Sequence, residues 1–247
     1  MKQSATKISL IFFIVLLAEI LVLFFRLENL HVFTKPSLIL ILFIWFWVKS
    51  RDLGEPKYLI LLALVLSWFG DIFLLFDKQN PRFFIFGLSS FLLAHLCYIV
   101  YFSRIRKQNG VDFSPKILTS LGILTYVVSL FLLLAPNLGN LQIPVIVYSL
   151  TLAAMLLSSI HAFNFKKHYF GKLCVAGTML FVVSDSLLSI NRFVQPFEFA
   201  SILIMLTYAV AQFLITVGAL RNLEDFQPRI TRIIFISYSC YSWLNSI

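Results

Sequence analysis

Two carboxylates stand where a lipid-facing helix has no use for one. Asp71 interrupts the run LSWFGDIFLLF (Leu66–Phe76) and Asp185 the run LFVVSDSLLSI (Leu180–Ile190), each preceded by a small residue, Gly70 or Ser184. An aspartate inside a membrane span costs about 2.5–3.5 kcal/mol on insertion scales, so such residues face the bundle interior and either pair there or function there. Burial disfavours the charged form of a carboxyl group, and a second carboxylate nearby disfavours it further. Two carboxyls sharing one apolar pocket can therefore divide the roles of general acid and general base. The bland alternative is that each is a hydrogen-bonding group that ties helices together. Glu19, Lys35, His95, Tyr208 and Gln212 are the other polar residues set in or beside apolar runs.

The elements that must position these residues follow from composition. Of the 247 residues, 60% are hydrophobic and 13% charged, against about 45–50% and about 25% in soluble domains. The apolar residues gather into eight blocks: 8–25, 33–48, 58–76, 83–102, 117–135, 143–163, 173–190 and 199–220. Most approach the roughly 20 residues a bilayer crossing needs. Polar segments with breaker residues (RDLGEPK, DKQNPR, APNLGN) separate them. Continuous rather than alternating apolarity argues against a barrel. The prediction is an all-α, polytopic bundle of eight transmembrane helices formed by residues 1–220. Residues 221–247 are read as a separate tail, lying in the interface with Tyr238, Tyr241 and Trp243 at headgroup level. The N-terminal run contains Glu19 and lacks an A-x-A site, so it reads as a retained span rather than a secretory signal.

Charge sets the orientation. The N-terminus and every second connection hold 15 of the 20 Lys and Arg residues, and that excess marks the cytoplasmic side. Both termini are thus expected in the cytoplasm. The net charge of +9 is a topology signal and not a nucleic-acid footprint. With that orientation Asp71, Asp185 and Glu19 fall at one level, the two aspartates roughly 7–8 Å below the outer ends of their spans. His95 and Gln212 lie deeper, with Tyr208 between.

Taken in order, FTKPSLIL, SWFGDIFLL, FGLSSFLLAHLCYIVYF, LFVVSDSLL and MLTYAVAQFLITVGAL resemble the YhhN family of eight-span membrane proteins, whose characterised members are lysoplasmalogenases. The likeness covers residues 33–220 and not the tail. It implies hydrolysis of the vinyl-ether bond of a lysoplasmalogen, a lysophospholipid, to a fatty aldehyde and a glycerophospho-ethanolamine or -choline. The family's lysine and proline fall on Lys35 and Pro36, its aspartates on Asp71 and Asp185, its histidine and tyrosine on His95 and Tyr98, and the tyrosine and glutamine of its last span on Tyr208 and Gln212. On this likeness Asp71 and Asp185 are the catalytic candidates. Lys35, Glu19, His95, Tyr98, Tyr208 and Gln212 are candidates for binding substrate or supporting the carboxyls.

That chemistry suits a carboxyl pair. Protonation at carbon gives an oxocarbenium ion that water captures, and glycosidases meet a comparable transition state with two carboxyls. Lys35, Arg82 and Arg192 could meet the phosphate as cations. Neither a metal nor another cofactor is expected: His31, His95, His161 and His168 do not converge under this topology, and no HExxH occurs. A proton-coupled lipid or small-molecule carrier is the rival class, though Pro36, Pro115 and Pro144 sit at span starts rather than inside paired broken helices. The partners expected are the lipid bilayer and a lysophospholipid. In a bacterium the site is the inner membrane, with the active site opening toward the outer leaflet.

Overall fold

A computed structural model describes residues 2–112, 117–164 and 168–244, with side chains between residues 8 and 226. It contains eight α-helices: α1 (Lys2–Phe24), α2 (Glu28–Lys49), α3 (Lys57–Leu75), α4 (Pro81–Gln108), α5 (Ile117–Leu134), α6 (Gln142–Ala162), α7 (Gly171–Phe193) and α8 (Ala200–Leu244). Two 3-10 turns, Ala135–Asn137 and Gly139–Leu141, join α5 to α6, and no strand occurs among the described residues. Seven of the helices are long and apolar enough to cross a membrane, and α1 adds the apolar segment Ile8–Phe24. The chain is an integral, multi-pass membrane protein. Its large exposed hydrophobics, among them Leu10, Phe24, Phe33, Leu118 and Ile143, make sense only on a surface bathed in acyl chains.

Two boundaries differ from the sequence reading. The second span is not the shortest: α2 begins at Glu28, and Pro36 lies inside it. The proline removes one backbone donor, which nearby side chains help a membrane helix to absorb. The bond lost is the one to the Val32 carbonyl four residues back; one residue on, the Ser37 hydroxyl donates to the Thr34 carbonyl at 2.7 Å. The other difference is at the end of the chain. Helix α8 runs without a break past residue 220 to Leu244, while its apolar, span-like part is Ala200–Phe226. The side chains of Tyr238, Tyr241 and Trp243 lie outside the described residues.

Helix contacts define a closed ring. The order around it is α1, α2, α3, α4, α6, α7, α8 and back to α1, and α8 also touches α2 and α3. Outside this ring stands α5, held by α6 and a few residues of α7, with Leu134 as its one buried residue. The ring is tight where residues are small, as helix interfaces in membranes generally are. A Cβ added at Gly70 of α3 would come within 2.7 Å of the Phe91 ring of α4. One at Gly177 of α7 would meet the Ala211 carbonyl of α8 at 2.8 Å. These two approaches bring α3 onto α4 and α7 onto α8, and so set the four helices that carry most of the polar side chains.

Candidate active site

The intramembrane polar residues fall into two clusters joined by aromatic rings. The first gathers around Asp71 on α3, which is 1% exposed. Its Oδ2 accepts the Tyr208 hydroxyl of α8 at 2.8 Å, and Lys35 Nζ of α2 lies 3.8 Å from Oδ1. Lys35 thus turns inward, its side chain only 14% exposed, rather than out toward a headgroup. Glu19 of α1 is fully buried beside this group. Its Oε1 is 2.8 Å from His31 Nδ1, and its other oxygen accepts the Thr34 hydroxyl. Glu19, His31 and Lys35 are the charged or ionisable groups whose fields reach Asp71.

One turn deeper, the same helices are tied by neutral groups. Gln212 of α8 donates to Ser67 of α3 at 2.9 Å and accepts from the Tyr98 hydroxyl of α4 at 2.7 Å. All three residues are buried with no exposed surface. Gln212 therefore pairs with Tyr98 and Ser67 rather than with His95, which lies at a similar depth. The amide uses both its donor and its acceptor, and that requires three helices at once.

Asp185 of α7 anchors the second cluster. Its Oδ2 accepts the Tyr148 hydroxyl of α6, and beside it Tyr126 of α5 donates to Ser186 at 2.7 Å. Unlike Asp71, Asp185 is partly exposed. Ser184, the small residue before it, donates to the Ile204 carbonyl of α8 at 3.0 Å, so it serves helix packing.

An aromatic bridge connects the clusters. Tyr208 packs edge-on against Phe181 at 5.5 Å between centroids, Phe181 against His95 at 4.8 Å, and His95 against Tyr148 at 5.3 Å. His95 is fully buried, and neither ring nitrogen has a hydrogen-bond partner. Such an imidazole in a packed core is costly unless a ligand or water uses it.

Each of the two carboxyls has its own partner. Asp71 and Asp185 bind different tyrosines on different helices, and no hydrogen bond joins the two carboxyls. Nor are they equally placed along their helices. Asp71 lies four residues before the end of α3, Asp185 eight before the end of α7, roughly 6 and 12 Å of helix respectively. The reason is local: α7 stays helical through Asn191–Phe193, which the apolar pattern had assigned to the connection.

The remaining cations are also placed. Arg192 pairs with Asp77 at 3.3 Å, its guanidinium 4.8 Å over the Phe84 ring, and Arg82 is exposed at the start of α4. Among the described residues no three His, Cys, Asp or Glu side chains converge as metal ligands would. Sequence reasoning missed Tyr148, Tyr126, Ser67 and Thr34, and placed His31 only in a connection. Each is a lone hydroxyl or imidazole among apolar neighbours, a weaker signal than a charge.

The model of the YhhN family matches residues 30–219. A rat protein named lysoplasmalogenase TMEM86B is 34% identical over 188 residues, 76% of this chain and 71% of its own. Its human counterpart is 35% identical over 176 residues, 71% of this chain and 69% of its own. A lysoplasmalogenase of Mycobacterium tuberculosis is 32% identical over 171 residues, 68% of this chain and 63% of its own. No solved structure matches. With a family match across three quarters of its length and an interior that brings Lys35, Asp71 and Tyr208 together, the chain belongs to the YhhN family.

Proposed function

We propose that this protein is a lysoplasmalogenase, a membrane hydrolase that cleaves the vinyl-ether bond of an alkenyl-glycerophospholipid bearing a single chain. The observation that carries this reading is similarity over most of the chain to proteins of that name. The buried carboxyls on tyrosine hydroxyls supply groups the reaction needs. A carboxylic acid protonates the second carbon of the alkenyl chain, leaving an oxocarbenium ion across the first carbon and the ether oxygen. Water adds to that first carbon and gives up a proton to a basic group. The hemiacetal then collapses, the C–O bond breaks, and fatty aldehyde and glycerophospho-alcohol leave. One water is consumed.

Asp71 and Asp185 are the two candidates for the acid–base work. Lys35, Glu19, Tyr98, Tyr208 and Gln212 hold Asp71 and its helices in place, and His95 stands between the clusters. Both termini lie in the cytoplasm, the side that the lysine and arginine excess marks. If the host is bacterial, the membrane is the inner one. No cofactor enters the scheme.

The test is fatty-aldehyde release from lysoplasmenyl-ethanolamine and -choline by purified protein in detergent, beside Asp71→Asn and Asp185→Asn. Aldehyde from the parent and a folded but inactive Asp185→Asn variant is the expected result. No aldehyde from a well-folded parent with either headgroup overturns the reading in favour of a carrier, which needs a gradient rather than a scissile bond.

A further inference from the structure

The two carboxyls differ in access. Tyr208 and Lys35 enclose Asp71. Asp185 instead stands in the wall of a groove between α4, α5, α6 and α7, lined by Phe84, Leu88, Leu130, Tyr148, Leu152 and Phe193 among others. Ser149, Ser186 and Ser189 are its remaining polar lining. Its apolar lining with a few convergent polar groups is that of a small-molecule site. Only about 40 Å³ of it is open, against roughly 300–1,000 Å³ in a formed site, so a chain enters only as α5 moves outward.

Its two ends are unlike. At one end Phe84 carries the Arg192 guanidinium over its ring, with Asp77 as the arginine's partner. That cation is 38% exposed, a position from which it can take a phosphate. Leu152 marks the other end, deeper along α6. Seven residues of α7 separate Arg192 from Asp185, about 10 Å along the axis. A lysophospholipid whose phosphate meets Arg192 would thus have the start of its chain at the level of Asp185. The outer wall is α5, attached to the ring only lightly. The groove can therefore be reached sideways from the bilayer, as a substrate already dissolved in the membrane requires.

We propose that this groove holds the hydrocarbon chain of a single-chain ether phospholipid and that Asp185 is the carboxyl that reaches its vinyl-ether carbons. The proposal rests on the hydrolase reading above. Protonated Asp185 gives its proton to the second chain carbon while Tyr148 holds its other oxygen. The carboxylate so formed takes a proton from the water that adds to the first carbon, which restores the acid. Asp71 then acts as a positioning residue, fixing α2, α3 and α8 through Lys35 and Tyr208.

The experiment is photo-crosslinking of the full-length protein. The probe is a 1-O-alkyl lysophospholipid carrying a mid-chain diazirine; its saturated ether is not cleaved. Adducts mapped by peptide mass spectrometry are expected on α5, α6 and α7 near Leu130 and Leu152, competed by excess unlabelled lysoplasmalogen. Leu152→Trp should lower them about tenfold, as a clash of ordinary size in a packed site would. Val147→Trp, on the lipid-facing side of α6, should leave them unchanged. Adducts centred on α1, α2 and α3 around Lys35 and Asp71 would overturn the proposal. So would groove adducts that neither competitor nor Leu152→Trp reduces, since these would report bulk lipid. Because the probe is not hydrolysed, a parent that binds it in the groove yet releases no aldehyde refutes the hydrolase reading and leaves the groove standing.

Discussion

Replacing Tyr148 by phenylalanine removes one oxygen atom and leaves everything else that the ring does. The ring packs against His95 at 5.3 Å and lines the groove, and phenylalanine keeps both contacts. What disappears is the hydroxyl held by Asp185 Oδ2. A hydrogen bond to a charged or reacting group is worth about 1.5–3 kcal/mol. At about 1.4 kcal/mol per tenfold, Tyr148→Phe should lower kcat by about 10- to 100-fold. KM should change little, since no apolar surface is lost. Stability should fall by no more than about 1 kcal/mol, the value of an ordinary interhelical hydrogen bond in a membrane. Aldehyde release coupled to an alcohol dehydrogenase reads kcat and KM, and thermal unfolding in detergent reads stability. A kcat equal to that of the parent, in a variant that is folded and in a background where Asp185→Asn is inactive, would refute the idea that the tyrosine holds the reacting carboxyl. A loss confined to stability would make the pair a helix tie.

Tyr208→Phe in the other cluster should behave differently, lowering kcat less than Tyr148→Phe when the same coupled assay compares them. Asp71→Asn leaves the Lys35 ammonium buried without its partner, which should cost about 3 kcal/mol; adding Lys35→Met should restore much of it, measured by thermal unfolding. Gly177→Ala places a methyl group against the Ala211 carbonyl and the Ile215 amide, backbone atoms that cannot swing aside. A loss of about 1–3 kcal/mol is expected, visible as earlier unfolding in a detergent melt. EDTA should leave aldehyde release unchanged; a loss restored by a divalent cation would require a metal in the scheme.

How far the sequence could be read depended on how strong each signal was. The eight blocks were legible because a bilayer demands a long apolar run for each crossing, and the helices found coincide with them. Ends were less legible. Glu28 to Val32 looked like a connection because the segment is polar, yet it forms the first turns of α2. The chain after Leu220 looked like a tail because charges begin there, yet the helix continues. Asp71, Asp185, Glu19 and Lys35 could be singled out because a charge in a span is expensive. Tyr208 could as well, but the other partners Tyr148, Thr34 and His31 could not, since they are recruited by the ring order of the helices. Packing α6 rather than α5 beside α4 is a long-range choice that no local pattern encodes. It separates Asp185 from Asp71 and gives each its own tyrosine.

The closed ring also sets a schedule for synthesis. Tyr208 follows Asp71 by 137 residues and Gln212 follows Ser67 by 145. At roughly 5–20 residues per second, the interval between each group and its partner is roughly 7–30 s. During that time α3 is already made while the hydroxyl that Asp71 will accept does not yet exist. Lys35, translated earlier on α2, can sit against the aspartate from the start. The Lys35–Asp71 pair thus has a use before there is any site: it gives α3 a partner for its charge while the helix that completes the bundle is still on the ribosome.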